Sequence, residues 1–167
     1  GRLSQHKRRP KGPMPAVVEA FETIGTAKVA QSAFEAMELG FLSESDGITF
    51  NRDRLLADAK AKALALVSDY QPPEPRALAL PGASGMATLT SALRDLALRG
   101  LATPHDQVVA RELALVLTGG PGADVTAPLD EEQLLALERQ AFIRLLKTNA
   151  TLARMEQMLT TGKPLRN

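Results

Sequence analysis

The chain predicts an all-α fold, mainly helical, with at most one or two short extended segments. Three observations carry that expectation. Apolar residues recur at helical spacing along most of its length. Helix start and stop signals bracket those runs, such as "TPHD" before one and "TGG" after it. Proline and glycine clusters then separate one run from the next.

The lead-in "GRLSQHKRRPKGPMP" is basic and Pro-rich with no periodicity, so residues 1–13 read as a flexible arm. "PAVVEAFETIG" predicts a short apolar helix ending near Gly25. In "AKVAQSAFEAMELG", Ala30, Ala33, Phe34 and Met37 share a helical face, and Gly40 is a natural stop. Ile48 and Phe50 suggest a brief extended step. Asn51 reads as the N-cap of "RDRLLADAKAKALALVSDY". Leu55, Leu56, Ala59, Ala63, Leu66 and Val67 form its apolar face. "QPPEP" stops that helix, because consecutive prolines cannot continue one. Residues 14–71 are therefore expected as one helical segment and 72–82 as a Pro-rich connector, in which "RALALPG" is a short strand or an extended link.

Residues 83–167 read as helical throughout. Ser84 is the expected cap of "GMATLTSALRDLALRG". Thr103, Pro104 and Asp106 stand at N-cap, N1 and N3 of the next helix. Gly119 and Gly120 end it; the loop "LTGGPGAD" lacks the spacing of a phosphate loop. Asp130 and Gln133 open a further helix, with Glu131 and Glu132 in its first turn and Lys147 at its end, as the helix dipole favours. Thr148 or Asn149 caps the last one.

The net charge is +1, so no global field draws in nucleic acid. "HKRRPK" has no interleaved aromatics and reads as a solvated arm. With no cysteine there is no disulfide, thiolate nucleophile or Cys-ligated metal. No apolar run approaches the ~20 residues that cross a bilayer, and nothing reads as a secretory signal, so a cytoplasmic location is expected. "GASGM" has Met86 where a nucleophile elbow needs glycine. A calcium loop on Gly47 would begin at Leu42, which has no side-chain oxygen to offer. His6 and His105 have no partner at metal spacing and are expected in surface polar roles. No metal is expected, and no assembled active site is visible.

Two stretches resemble a known family. One is "AFETIGTAKVAQSAFEAMELGFLSESDGITFNRDRLLADAKAKALALV". It is similar to the middle of the crotonase-like (enoyl-CoA hydratase/isomerase) fold. The likeness lies in Ser32-Ala33-Phe34-Glu35-Ala36, in Leu39-Gly40-Phe41-Leu42 and in the helix from Leu55 to Ala63. The other, "ERQAFIRLLKTNATLARMEQMLTTGKPLRN", resembles that fold's closing segment. "NRDRLLADAK" and "GKPLRN" look most like the crotonase-type module of certain bacterial 3-hydroxyacyl-CoA dehydrogenases. The stretch from about Pro72 to Leu129 is less similar and looks like an expansion relative to simple hydratases.

The resemblance implies the C-terminal helical portion of a crotonase-like fold, in a fatty-acid β-oxidation enzyme that uses NAD and a CoA thioester. The catalytic carboxylates and oxyanion hole are expected upstream of this chain, as is the dinucleotide fingerprint Gly-x-Gly-x-x-Gly. No catalytic residue transfers to a position here, and the piece alone is expected to be inactive. It implies an acyl-CoA substrate and a homo-oligomer. By position in the tail, Lys163 and then Arg166 are the residues implied to reach CoA phosphate, with a solvated tail as the other reading. Met158 or Leu159 falls where simple hydratases place an acyl-pocket Phe; the other reading is helix-spaced core packing. The rival to the whole reading is a free-standing helical interaction module without catalysis.

Overall fold

The structure is a computed structural model describing residues 13–167; His6 and the rest of the basic arm before Pro13 lie outside them. The all-α expectation holds. Seven helices are described: α1 (Pro13–Gly25), α2 (Ala33–Glu38), α3 (Leu55–Leu66), α4 (Gly82–Leu98), α5 (Pro104–Thr118), α6 (Glu131–Leu146) and α7 (Asn149–Thr161). A 3₁₀ turn, Arg52–Arg54, leads into α3. Neither expected extended piece forms a strand. Ile48 and Phe50 lie in irregular chain. At 76–82, Leu78 makes only an isolated antiparallel bridge to Leu129, with N–H···O distances of 2.7 and 3.0 Å.

The chain forms two compact units, one of residues up to Lys28 together with Arg76–Asn167, the other Val29–Pro75. The expected 14–71 segment thus spans parts of both units, and within the first unit α1 packs with α4 and α5.

In the first unit α5 is the central element, packed against α1, α4 and α6, while α7 lies on α6. Val17 and Phe21 of α1 meet Leu89 of α4 and Ala114 of α5 in the core. Burying side chains of this size contributes about 1.5–3 kcal/mol each for the large ones. Thr118 is fully buried at the end of α5, and its hydroxyl donates back to the Ala114 carbonyl at 2.8 Å. Its polar atom is therefore satisfied where water does not reach. Gly119 follows with φ 86°, a left-handed C-cap that most residues adopt only with strain.

The capping chemistry read from the sequence is in place. Thr103 and Asp106 form a reciprocal capping box on α5, and Asp130 and Gln133 form another on α6. Thr148, not Asn149, caps α7. Ser84 is a correction. α4 starts two residues earlier, at Gly82, and the Ser84 hydroxyl donates to the Pro81 carbonyl at 2.8 Å from inside the first turn. Gly82 makes the early start possible. Its φ is +56°, and a Cβ there would collide with the Ala123 carbonyl oxygen.

The second unit is built differently. Ser32 caps α2, which starts at Ala33 rather than near Ala30, and Gly40 lies just past its end. Asn51 does act as a cap, but of the 3₁₀ turn, accepting from the Asp53 N–H at 2.9 Å. Lys62 Nζ donates to the Ser45 carbonyl at 3.0 Å, and Thr49 donates to Asp58 at 3.1 Å. α3 buries none of its residues. Leu56 is 82% exposed and Val67 70%. The apolar stripe read from the sequence is present, and its residues are exposed among the described residues.

Candidate functional site

Lys163 and Arg166 lie in the stretch after α7. Gly162, at φ 67°, turns the chain out of the helix. The residues beyond it fold back along α7. An extended chain advances ~3.3 Å per residue against ~1.5 Å for a helix. A few tail residues can thus return along most of α7, and Asn167 Nδ2 reaches the Ala150 carbonyl at 3.1 Å. Burial alternates along the returning segment. Leu165 and Asn167 are half-buried, while Pro164 and Arg166 are exposed, the period-two pattern of extended backbone.

Arg154 holds this arrangement. Its Nε donates to Asn167 Oδ1 at 2.7 Å, and its Nη2 lies 3.2 Å from the Asn167 backbone oxygen. The same Nη2 pairs with Asp106 Oδ1 at 2.7 Å and approaches Thr103 Oγ1 at 3.3 Å. One guanidinium thus joins α7, the N-terminus of α5 and the tail. Burial alone would push the Asp106 carboxyl up. Hydrogen bonds from the Thr103 N–H and the Arg154 guanidinium outweigh that and hold it below the usual carboxylate range.

Lys163 is exposed, and its backbone N–H donates to Thr161 Oγ1 at 3.2 Å. Its ammonium makes no ion pair among the described residues. Arg166 is exposed as well and donates to the Leu101 carbonyl at 3.4 Å. Two cations are thus presented by a segment whose end is pinned. Met158 and Leu159 are 47% and 85% exposed, so core packing among the described residues does not explain them.

His105 is the other correction. It is buried, 6% exposed, where a surface role was expected. Its Nε2 lies 2.9 Å from Thr151 Oγ1, and Thr151 is 2.8 Å from Thr148 Oγ1. Burial, and then the nearby Arg154 charge, lower its pKa; Asp106 opposes them more weakly. The hydroxyl–imidazole contact has the distance of a nucleophile and base, but Asp106 orients Arg154 instead of the ring, and the imidazole is closed off from solvent. Its role is to tie α5 to α7. No grouping of three or more metal-ligating side chains occurs among the described residues.

An apolar cleft of about 1330 Å³ lies in the same unit, between α1, α5 and α6, lined by residues such as Phe21, Leu113, Leu134 and Phe142. Asp106 and Arg154 stand at its wall. Sequence reasoning missed both the Arg154 cluster and the burial of His105. The Thr103–Asp106 box was the available signal, since it fixes where α5 begins and so what must lie beside it.

Fold and site together define a helical segment with a pinned cationic tail and no assembled catalytic group among the described residues. The chain is 42% identical over 163 residues to a probable 3-hydroxyacyl-CoA dehydrogenase of Bacillus subtilis (strain 168), an alignment that takes in 97% of this chain. It spans about a fifth of that relative's length, 20%. No family model matches the chain. No solved structure matches it.

Proposed function

We propose that this chain is the C-terminal helical part of a crotonase-like module in an NAD-dependent 3-hydroxyacyl-CoA dehydrogenase of fatty-acid β-oxidation. In this reading it supplies oligomer packing and one wall of a coenzyme A site, and it works in the cytoplasm on acyl-CoA substrates. The observation that carries the proposal is the 42% identity along nearly the whole chain to a relative about five times its length. In this reading the described residues hold no catalytic constellation because the chemistry would be performed by the rest of a longer protein. NAD does not fit the residues present, because the sequence contains no Gly-x-Gly-x-x-Gly and the described residues form no strand to carry one. Coenzyme A fits better. Lys163 and Arg166 are exposed cations able to meet its phosphates.

Titration of the purified chain with coenzyme A tests this. Saturable binding that weakens on Lys163→Ala is expected, with no hydratase or dehydrogenase turnover by the chain alone. Turnover by these residues alone, or affinity indifferent to both cations, would sink the reading.

The uncovered stripe of α3 favours a second reading, a helical module that binds a protein partner without chemistry. The two separate on the encoding gene. A dinucleotide fingerprint and a crotonase loop in frame upstream support the enzyme, and a start codon immediately before Gly1 supports the module.

A further inference from the structure

We propose that Arg154 is a positioning residue, which sets the register of the 162–167 tail and thereby the place of its two cations. The inference rests on the reading of Lys163 and Arg166 as coenzyme A contacts, and it concerns a residue that touches no ligand in that reading. Lys163 and Arg166 lie on a short segment with a glycine at its start. Left free, such a segment samples many conformations, and binding a phosphate through it would require ordering them all. The structure removes that freedom at the far end. Both the side-chain and backbone oxygens of Asn167 are bonded to Arg154, and the Asn167 amide is bonded to α7 through Ala150. A shift of one residue would swap the inward Leu165 and Asn167 for the outward Arg166.

The choice of arginine has a geometric reason. The group must serve Asn167, Asp106 and Thr103 at once from one plane, and a lysine ammonium does not reproduce that fork. Asp106 in turn belongs to the capping box of α5. The tail is therefore anchored to the start of a packed helix and not to another mobile loop.

The experiment uses the 167-residue chain with Asn167→Ala, Arg154→Lys and Lys163→Ala, singly and paired. Hydrogen exchange of the tail amides and the Arg154 Nε–H signal report tail order, and calorimetry with coenzyme A reports affinity. Asn167→Ala leaves the Arg154–Asp106 pair in place, so the chain should melt where the wild type does. Faster tail exchange and a loss of affinity of about two- to tenfold are expected, although both cations remain. Arg154→Lys should behave alike despite its conserved charge. Lys163→Ala should cost less affinity in either background than in the wild type, the non-additivity of coupled residues. Unchanged exchange in Asn167→Ala, or strictly additive losses, would overturn the proposal. Should the wild-type chain bind no coenzyme A, the functional reading falls separately. Tail exchange alone then decides, with loosening in Asn167→Ala supporting the clasp and no change removing it.

Discussion

The start of α5 and the length of α3 are both helical, and both were legible as helices, yet they are held by opposite means. At α5, polar groups interlock: Thr103 and Asp106 cap each other, Asp106 takes Arg154, and His105 takes Thr151. Along α3 the backbone is regular, but Leu55, Leu56, Leu64 and Leu66 all remain more than half exposed. In the proposed second reading, this uncovered apolar surface is where a protein partner would dock. The contrast shows that a helix read from periodicity says which face is apolar. It does not say whether the same chain supplies the cover.

Substitutions can break or sharpen this contrast. The largest effect is expected at the core. Leu89→Ala should destabilise the chain by about 2–5 kcal/mol in urea unfolding, since it leaves a cavity against Phe21 and Ala114. Next, Thr103→Ala should cost about 1 kcal/mol by removing the α5 cap. A loss far above that would mean that the Arg154 cluster collapses with the cap.

Acid provides a third test. The pKa of His105 is lowered in the fold, so the unfolded chain binds its proton first. Stability should therefore fall as pH drops below the ordinary histidine value of 6.5. Asp106, also lowered, adds a further loss as pH falls from the ordinary aspartate value of 3.8 toward its folded one. His105→Gln should flatten the upper part of that slope in a pH series of unfolding curves, and an unchanged slope would place the sensitive group elsewhere. The smallest effect is expected at Leu56→Lys, within ~0.5 kcal/mol of wild type, as for exposed sites without special contacts. Any self-association detected by light scattering should decrease in that variant. A loss comparable with that of Leu89→Ala would show that α3 has cover after all.

What the sequence disclosed follows the range of the interactions. The boxes at Thr103–Asp106 and Asp130–Gln133 are three-residue patterns, and both formed as read. The stop at Gly119 is equally local. His105 was misplaced because its partner Thr151 comes from another helix, and no spacing announces such a pair. The Arg154–Asn167 contact likewise joins a helix to a tail that local patterns describe only as a stop followed by cations. Ser84 failed for a steric reason: the Gly82 backbone fits against Ala123 and lets α4 begin sooner than a cap-seeking reading allows. Lys163 and Arg166 were singled out only through likeness to a family, and their role remains the proposal made above. The structure adds the folded-back path that carries them.

The path of the chain between the two units has one more consequence. The backbone leaves the first unit at Lys28 and rejoins it at Arg76, so everything between is an insertion into a fold whose core residues lie outside it. Closing a longer loop costs only ~0.6 kcal/mol for each doubling of its length. Evolution can therefore lengthen, shorten or re-equip this excursion while Phe21, Leu89 and Ala114 stay packed. Among homologous chains, length should vary most freely between α1 and α4, and a chain with that excursion replaced by a short linker should keep the first unit's core.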